Sequence, residues 1–270
     1  MSEAPVLIVG AGPVGLTLAI DLAWRGIDVA VVETRARAAP PEPKCNHVAA
    51  RTMEIFRRLG IAGKIRNAGL PADYPHDISY RTSFTGAELT RIKIPCRRDR
   101  FTAKDAADSN WPTPEPPHRI NQIFLEPILF EHAASQPRIT IINRTSVEDV
   151  LIEDNSASVS LRDLDTGAAK RVDCRFLIGC DGARSVVRKA IGAELSGDVI
   201  IQRVQSTFIR AVDLYPCPRP DRASAAPERL GHRRHQPAPF RNGLCDRRMR
   251  ALAGAQLSPT QRRRLRGGRP

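Results

Sequence analysis

The chain has 270 residues, 41% of them hydrophobic, and a net charge of +13. That length allows one or two domains with a real core. No apolar run reaches the ~18 residues that a membrane span needs. Leu7–Val9 is too short, and too near Glu3, for a signal-peptide core, which favours a cytoplasmic protein. The charge is unevenly spread. Residues 1–215 hold 28 Lys+Arg against 26 Asp+Glu, whereas residues 216–270 hold 14 Arg, no Lys and three acids. A nearly neutral body with a basic tail argues against a nucleic-acid-binding protein, because the tail has no aromatic interleaving and no recognisable module. The six cysteines, Cys45, Cys96, Cys174, Cys180, Cys217 and Cys245, form no Cys-x-x-Cys pair and read as scattered reduced thiols. His232 and His235 lack the further ligands of a metal site, and no metal is expected.

In chain order, Pro5–Val9 is predicted as a short buried strand ending at glycine. Pro13–Arg25 follows as a helix, with Pro13 in the first turn, where a missing N–H costs little. Gly26 ends that helix and Asp28–Val32 is the next strand. The three make a β-α-β unit with parallel strands. A proline-dense loop leads to an amphipathic helix over Val48–Leu59. The stretch from Tyr74 to Cys96 alternates polar and apolar residues around Gly86 and predicts an antiparallel pair outside the parallel sheet. A Pro-rich connector precedes a helix in "NQIFLEPILFEHAAS", with Asn121 as its cap. Strands are then expected at Ile139–Ile142, Val147–Ile152, Ala157–Leu161 and Arg171–Ile178. The last runs into "GCDGARSVVRKAIG" and a further helix. A strand is also expected across Val204–Val212.

The first β-α-β unit carries the clearest chemistry. In "GAGPVG", Gly10 permits the tight turn, Gly12 lets the backbone approach a pyrophosphate, and Gly15 lets helix and strand pack closely. The helix N-terminus offers free N–H groups and partial positive charge to that pyrophosphate. Glu33, at the end of the second strand, is placed to accept hydrogen bonds from a ribose. Its charge also disfavours a 2′-phosphate there. A lone glycine pattern is weak, but strand, turn, helix, strand and terminal acid fall in register here. The pattern implies a dinucleotide without separating NAD from FAD.

The second half separates them. The stretch "RFLIGCDGARSVVRKAIG", following the glycine fingerprint at this distance, resembles the para-hydroxybenzoate hydroxylase family of FAD-dependent aromatic monooxygenases. There an Asp-Gly motif, here Asp181-Gly182, touches the flavin side and the path of NAD(P)H. The segment "KCNHVAARTMEIFRRLGI" is similar to the family's helix after the ribose acid, which implies that Arg51 reaches the FAD phosphates. "RINQIFLEPIL" is similar to the helix whose glutamine, here Gln122, contacts the flavin side. Arg35 is a further candidate, flanking the adenine. Each of Arg35, Arg51 and Gln122 has a plainer alternative as a solvated side chain. The resemblance implies FAD, bound through Gly10, Gly12, Pro13, Gly15, Glu33, Arg35, Arg51, Gln122, Asp181 and Gly182. It further implies NADH or NADPH as co-substrate, and oxygen transfer to an aromatic ring through a flavin C4a-hydroperoxide. No catalytic side chain is identifiable.

The expected fold class is α/β: a Rossmann-like three-layer FAD-binding domain over 1–73 and 118–190. A partial antiparallel substrate-domain sheet is expected over 74–117 and 191–215, and a disordered Arg/Pro-rich tail over 216–270. The resemblance runs from about residue 5 to residue 215. Beyond it the family's Gly-Asp-x-x-His fingerprint is not found, so the chain reads as truncated or frameshifted relative to that family, with hydroxylation weakened accordingly. The expected partners are a small aromatic substrate and oxygen, with neither nucleic acid nor membrane. A flavin reductase or oxidase without hydroxylation, a non-enzymatic FAD-binding fragment, and an NAD-dependent dehydrogenase stay open as alternatives.

Overall fold

The computed structural model describes residues 3–197 apart from 38, 42, 84–85, 104–106 and 108–109. The strand expected across Val204–Val212, the basic tail, Cys217, Cys245, His232 and His235 lie outside the described residues. Two compact units are present: described residues up to Asp77 and from Lys93 belong to one, and Ile78–Ile92 to the other. The segment read as 74–117 is therefore divided, with only its hairpin in the second unit.

The first unit is built on β1 (Glu3–Val9), α1 (Pro13–Trp24) and β2 (Val29–Val32). Val6, Leu7, Ile8 and Val9 are all buried, as are Val29 to Val32. A strand covered on both faces needs such an unbroken apolar run. After a loop come α2 (Ala50–Arg58) and α3 (Ala62–Ala68). The second of these was not anticipated from the sequence; it is short and carries Gly63, a weak helix former. Next is α4 (Gln122–Ala134), whose N-terminus is capped by Asn121, its Oδ1 accepting from the Ile123 N–H at 3.1 Å. Then follow β5 (Ile139–Ile142), β6 (Thr145–Ile152), β7 (Ala157–Asp163), β8 (Ala169–Gly179) and the short α5 (Val186–Ala190). In the hairpin unit, β3 (Ile78–Arg81) and β4 (Glu88–Ile92) pair antiparallel. There Glu88 accepts from Ser79, Arg81 and Arg91, and the Arg91 hydrogen bond foremost holds its carboxyl at about 2.

The main sheet has the order β5-β2-β1-β8-β7-β6. β1, β2, β5 and β8 run parallel, whereas β6 and β7 are antiparallel additions. β8 serves two neighbours: its first half pairs with β7 (Ala169↔Arg162 to Cys174↔Ala157), and its second half with β1 (Asp173↔Glu3 to Gly179↔Val9). One core lies between the sheet and the helices, with Leu16, Ile20, Met53, Phe56, Ile65 and Leu129 at its centre. A second packs Leu7, Ala30 and Val32 against Val159, Leu161 and Val172 of the meander. The architecture is thus the expected three-layer α/β fold, with an antiparallel meander as its third layer. Among the described residues no helix is long and apolar enough to cross a membrane.

Two buried histidines border the helical side. His118, whose backbone bridges to Val48, is 2% exposed, and His76, 5% exposed, lies 3.2 Å from the Arg100 guanidinium. Burial pushes both imidazoles down to about 4, reinforced by Arg100 and Arg119 at His76 and by Arg66 and Arg97 at His118. Both are neutral in the folded protein, while in the unfolded chain they protonate near pH 6.5. The contribution of these two neutral imidazoles to stability is therefore fully present well above pH 6.5 and is lost as the pH drops from 6.5 towards 4, by at most about 3 kcal/mol per histidine. Urea titrations across that window should show the decline, and it should flatten in His76→Gln/His118→Gln.

Candidate cofactor site

In the parallel part of the sheet, β2 and β5 lie to one side of β1 and β8 to the other. That makes the gap beyond the C-terminal ends of β1 and β8 a topological switch point, where open α/β sheets bind ligands. The cleft there has a volume of about 410 Å³. Its floor is the turn from β1 into α1. Gly10 has φ +103°, and its N–H bonds to Val32 O at 2.8 Å. A Cβ at Gly10 would stand 2.5 Å from Cys180 O, and one at Gly15 would stand 1.9 Å from Gly10 O. At these two positions the close approach of α1 to β1 and β8 leaves no room for a side chain. Gly12 differs: a Cβ there meets nothing within 4 Å, because Gly12 faces the cleft. Gly12 is also the N-cap of α1 and supplies no side-chain hydrogen bond, and Pro13 opens the first turn. The helix N-terminus therefore points its amides and its positive dipole end at the cleft.

Glu33 leaves the end of β2 and is 9% exposed. Its Oε2 accepts from the Ala11 N–H and its Oε1 from the Arg35 N–H, both at 2.9 Å. Burial alone would raise its carboxyl pKa, but hydrogen bonds from the Arg35 side chain and from these two amides outweigh that and hold it low. Arg35 reaches Glu33 at 3.3 Å and Glu126 at 2.5 Å. Burial opposes its charge, yet the two carboxylates raise its pKa. Gln122, at the start of α4, donates from Nε2 to Glu126 Oε2 at 2.9 Å. On the opposite wall, Asp181 Oδ2 accepts from the Val186 N–H at 2.7 Å, at the entry to α5. Its other oxygen is buried with no hydrogen-bond partner among the described residues.

Gly10, Gly12, Glu33, Arg35, Gln122, Asp181 and Gly182 of the expected set all line this cleft, while Gly15 and Pro13 shape the turn beneath it. Arg51 is not among the lining residues. Its side chain is 76% exposed on α2 and pairs with Glu54 at 2.6 Å. Lys44, Glu126, Thr145 and Cys180 line the cleft without having been singled out in the sequence. For Glu126 a signal was available, since it follows Gln122 by one helical turn and so shares its face.

Fold and cleft define a dinucleotide-binding protein, with Glu33 and the glycine turn meeting at one volume. An open wall at Gly12, free helix amides, a low-pKa carboxylate and an orphaned Asp181 oxygen suit an anionic, hydroxyl-bearing ligand such as FAD. The sequence profile described as "FAD binding domain" matches residues 3–237 and so extends past residue 215, the end expected from the sequence. The chain belongs to this FAD-binding family, that of the flavoprotein aromatic monooxygenases. It is 33% identical over 202 residues to the FAD-dependent monooxygenase apdD of Emericella nidulans, covering 74% of this chain and 32% of that protein. To a phenol 2-monooxygenase of a Pseudomonas species it is 32% identical over 195 residues, 72% of this chain and 31% of the relative. Among solved structures, the rebeccamycin biosynthetic enzyme RebC with reduced flavin superimposes with a TM-score of 0.61 and 37% identity, covering 70% of this chain and 34% of that one. The flavin-dependent monooxygenase PieE, in complex with FAD and substrate, gives 0.63 and 29% over 73% and 33%. The chain thus spans about a third of the length of the relatives it matches.

The glycines give a paired test. Gly15→Ala should destabilise the fold by about 1–3 kcal/mol or more, because backbone atoms rather than a flexible side chain stand in the way. Gly12→Ala should melt like the unaltered protein yet lose about tenfold or more in FAD affinity, because its methyl group enters the cleft. Thermal melts and flavin-fluorescence titrations read the two effects separately.

Proposed function

We propose that the whole protein is an FAD-dependent monooxygenase that uses NADH or NADPH and molecular oxygen to hydroxylate a phenolic or other aromatic substrate. The observation that carries this reading is the convergence of Glu33, the glycine turn and Asp181-Gly182 on one cleft at the switch point. Relatives with the printed names phenol 2-monooxygenase, aklavinone 12-hydroxylase and 4-methyl-5-nitrocatechol 5-monooxygenase support the substrate class.

When bound, FAD would supply the redox chemistry, two-electron reduction by the nicotinamide and activation of oxygen, one atom going to an electron-rich ring and the other to water. The chain's own residues hold and orient it. Glu33 accepts the hydroxyls of the adenosine ribose. The first amides of α1 and the bare backbone at Gly12 take the pyrophosphate. Arg35 stands at the adenosine end, and Gln122 and Asp181 face the flavin half. Arg51, carried over by resemblance to the phosphates, would have to turn from Glu54 to reach them. In this reading residues 1–73 and 118–190 form the FAD-binding domain, and the hairpin Ile78–Ile92 begins the substrate domain. The protein works in the cytoplasm, where reduced nicotinamides are made. The free thiols Cys45, Cys96, Cys174 and Cys180 accord with that compartment.

Two measurements test the reading. In Glu33→Arg, loss of the ribose acceptor should weaken FAD binding by about 1–3 kcal/mol, the range for a charge-assisted hydrogen bond. Parallel titration of FAD, NAD and NADP should show preference for FAD, and NADH or NADPH oxidation with a panel of phenols should yield hydroxylated product. Tight NAD binding without flavin binding would refute the cofactor assignment. Peroxide without product from the full-length enzyme would turn the reading to an oxidase.

A further inference from the structure

We propose that Glu126 is a positioning residue of this cleft: its buried carboxylate holds the Arg35 guanidinium back from a tight pair with Glu33 and so leaves Glu33 able to take a ribose. The inference rests on reading the cleft as the site of the FAD adenosine. Glu126 lies on α4 and is 5% exposed. Its Oε1 is 2.5 Å from Arg35 Nη2, and its Oε2 accepts from Gln122 Nε2 at 2.9 Å. The same guanidinium reaches Glu33 only at 3.3 Å, from Nε to Oε1 and from Nη2 to Oε2. One arginine is thus shared between two carboxylates from different parts of the chain, with its shortest contact to Glu126 and longer ones to Glu33.

The acceptor inventory of Glu33 shows why this matters. A carboxylate offers about four lone-pair sites. Oε2 already takes the Ala11 N–H, and Oε1 takes the Arg35 N–H and the Thr34 hydroxyl at 3.2 Å. With the two long Arg35 side-chain contacts, five donors share these about four sites, so the carboxylate is already crowded. A ribose hydroxyl can bond to Glu33 only by displacing the Arg35 contacts. Displacing a half-buried guanidinium from a carboxylate is costly unless a second anion receives it. Glu126 is that second anion, fixed on a helix and oriented by Gln122. Without it, the long two-pronged contact of Arg35 with Glu33 would tighten and saturate the ribose acceptor. The guanidinium position is therefore set from α4, although the acid it faces follows β2.

FAD affinity, read by flavin-fluorescence quenching, tests this in the purified full chain and in Glu126→Ala, Arg35→Ala and the double variant. Glu126→Ala should weaken FAD binding by about tenfold or more. Removing Arg35 as well should reverse most of that loss, so that the double variant binds FAD more tightly than Glu126→Ala alone. A purely structural role for Glu126 predicts the opposite, a double variant at least as weak. If circular-dichroism melts show Glu126→Ala unfolded, Glu126→Gln with and without Arg35→Ala carries the same comparison, because glutamine keeps the size of the side chain and loses its charge. Unchanged FAD affinity in the folded Glu126 variant, or no recovery in the double variant, overturns the inference and leaves the cofactor reading standing. Failure of the unaltered chain to bind FAD would sink the cofactor reading and the inference with it.

Discussion

Gly15 of α1 sits so close to the Gly10 carbonyl, and Gly10 so close to the Cys180 carbonyl, that hydrogen atoms are the only substituents that fit at either glycine. This three-way backbone contact joins the end of β1, the start of α1 and the end of β8. It brings the helix N-terminus to within reach of the strand ends, and it aims the amides of α1 at the cleft instead of at solvent. Cys180 then continues the β8 edge by donating its N–H to Val9 O at 2.7 Å. Glu33 and Asp181, which come from strands on opposite sides of β1, face one volume because of this contact.

β8 extends the same constraint into the rest of the fold. Residues Asp173 and Cys174 have partners on both sides, Glu3 and Ala4 of β1 and Ser158 and Ala157 of β7. A one-residue slip of β8 would turn its side chains to the wrong face in both pairings at once. It would expose Val172 and Cys174, which are 2% accessible, and move Asp181 away from the glycine turn. The antiparallel meander thus helps to fix the register of a residue in the cofactor cleft.

The electrostatics of the cleft follow from charges supplied by distant parts of the chain. Glu33 and Glu126 place two acids around Arg35, and burial raises the cost of leaving any of the three unpaired. The arrangement is braced from behind by the β5–β6 turn, where Asn143 Nδ2 and the Arg144 N–H both bond to Arg35 O. Arg144 adopts φ +53° there, an uncommon conformation for a side-chain-bearing residue, stabilised by its place in this loop.

Much of this was legible in the linear sequence. The strand, turn, helix, strand and acid from Pro5 to Glu33 are encoded by neighbours within a few residues: an apolar run, glycines, a proline at the helix start and a terminal carboxylate. The Asn121 cap and the strands from Ile139 to Gly179 were equally local, with boundaries shifted by only a few residues. The rest depended on where separate elements come to lie. Arg51 carries the same local pattern whether its helix turns it to the cleft or to Glu54, and the packing of Met53 and Phe56 inward puts it outside. Glu126 and Lys44 reach the cleft because α4 and the loop before α2 cross the strand ends. That placement is decided by burial of Leu125, Ile128 and Leu129 against the sheet, a non-local gain that no short stretch of sequence expresses. Sequence alone determined the β-α-β unit with its glycine turn and terminal acid, the pattern of a dinucleotide-binding site. Only the tertiary structure decided which charges surround it, because a charge acts across space, and chain separation says little about distance in a folded core.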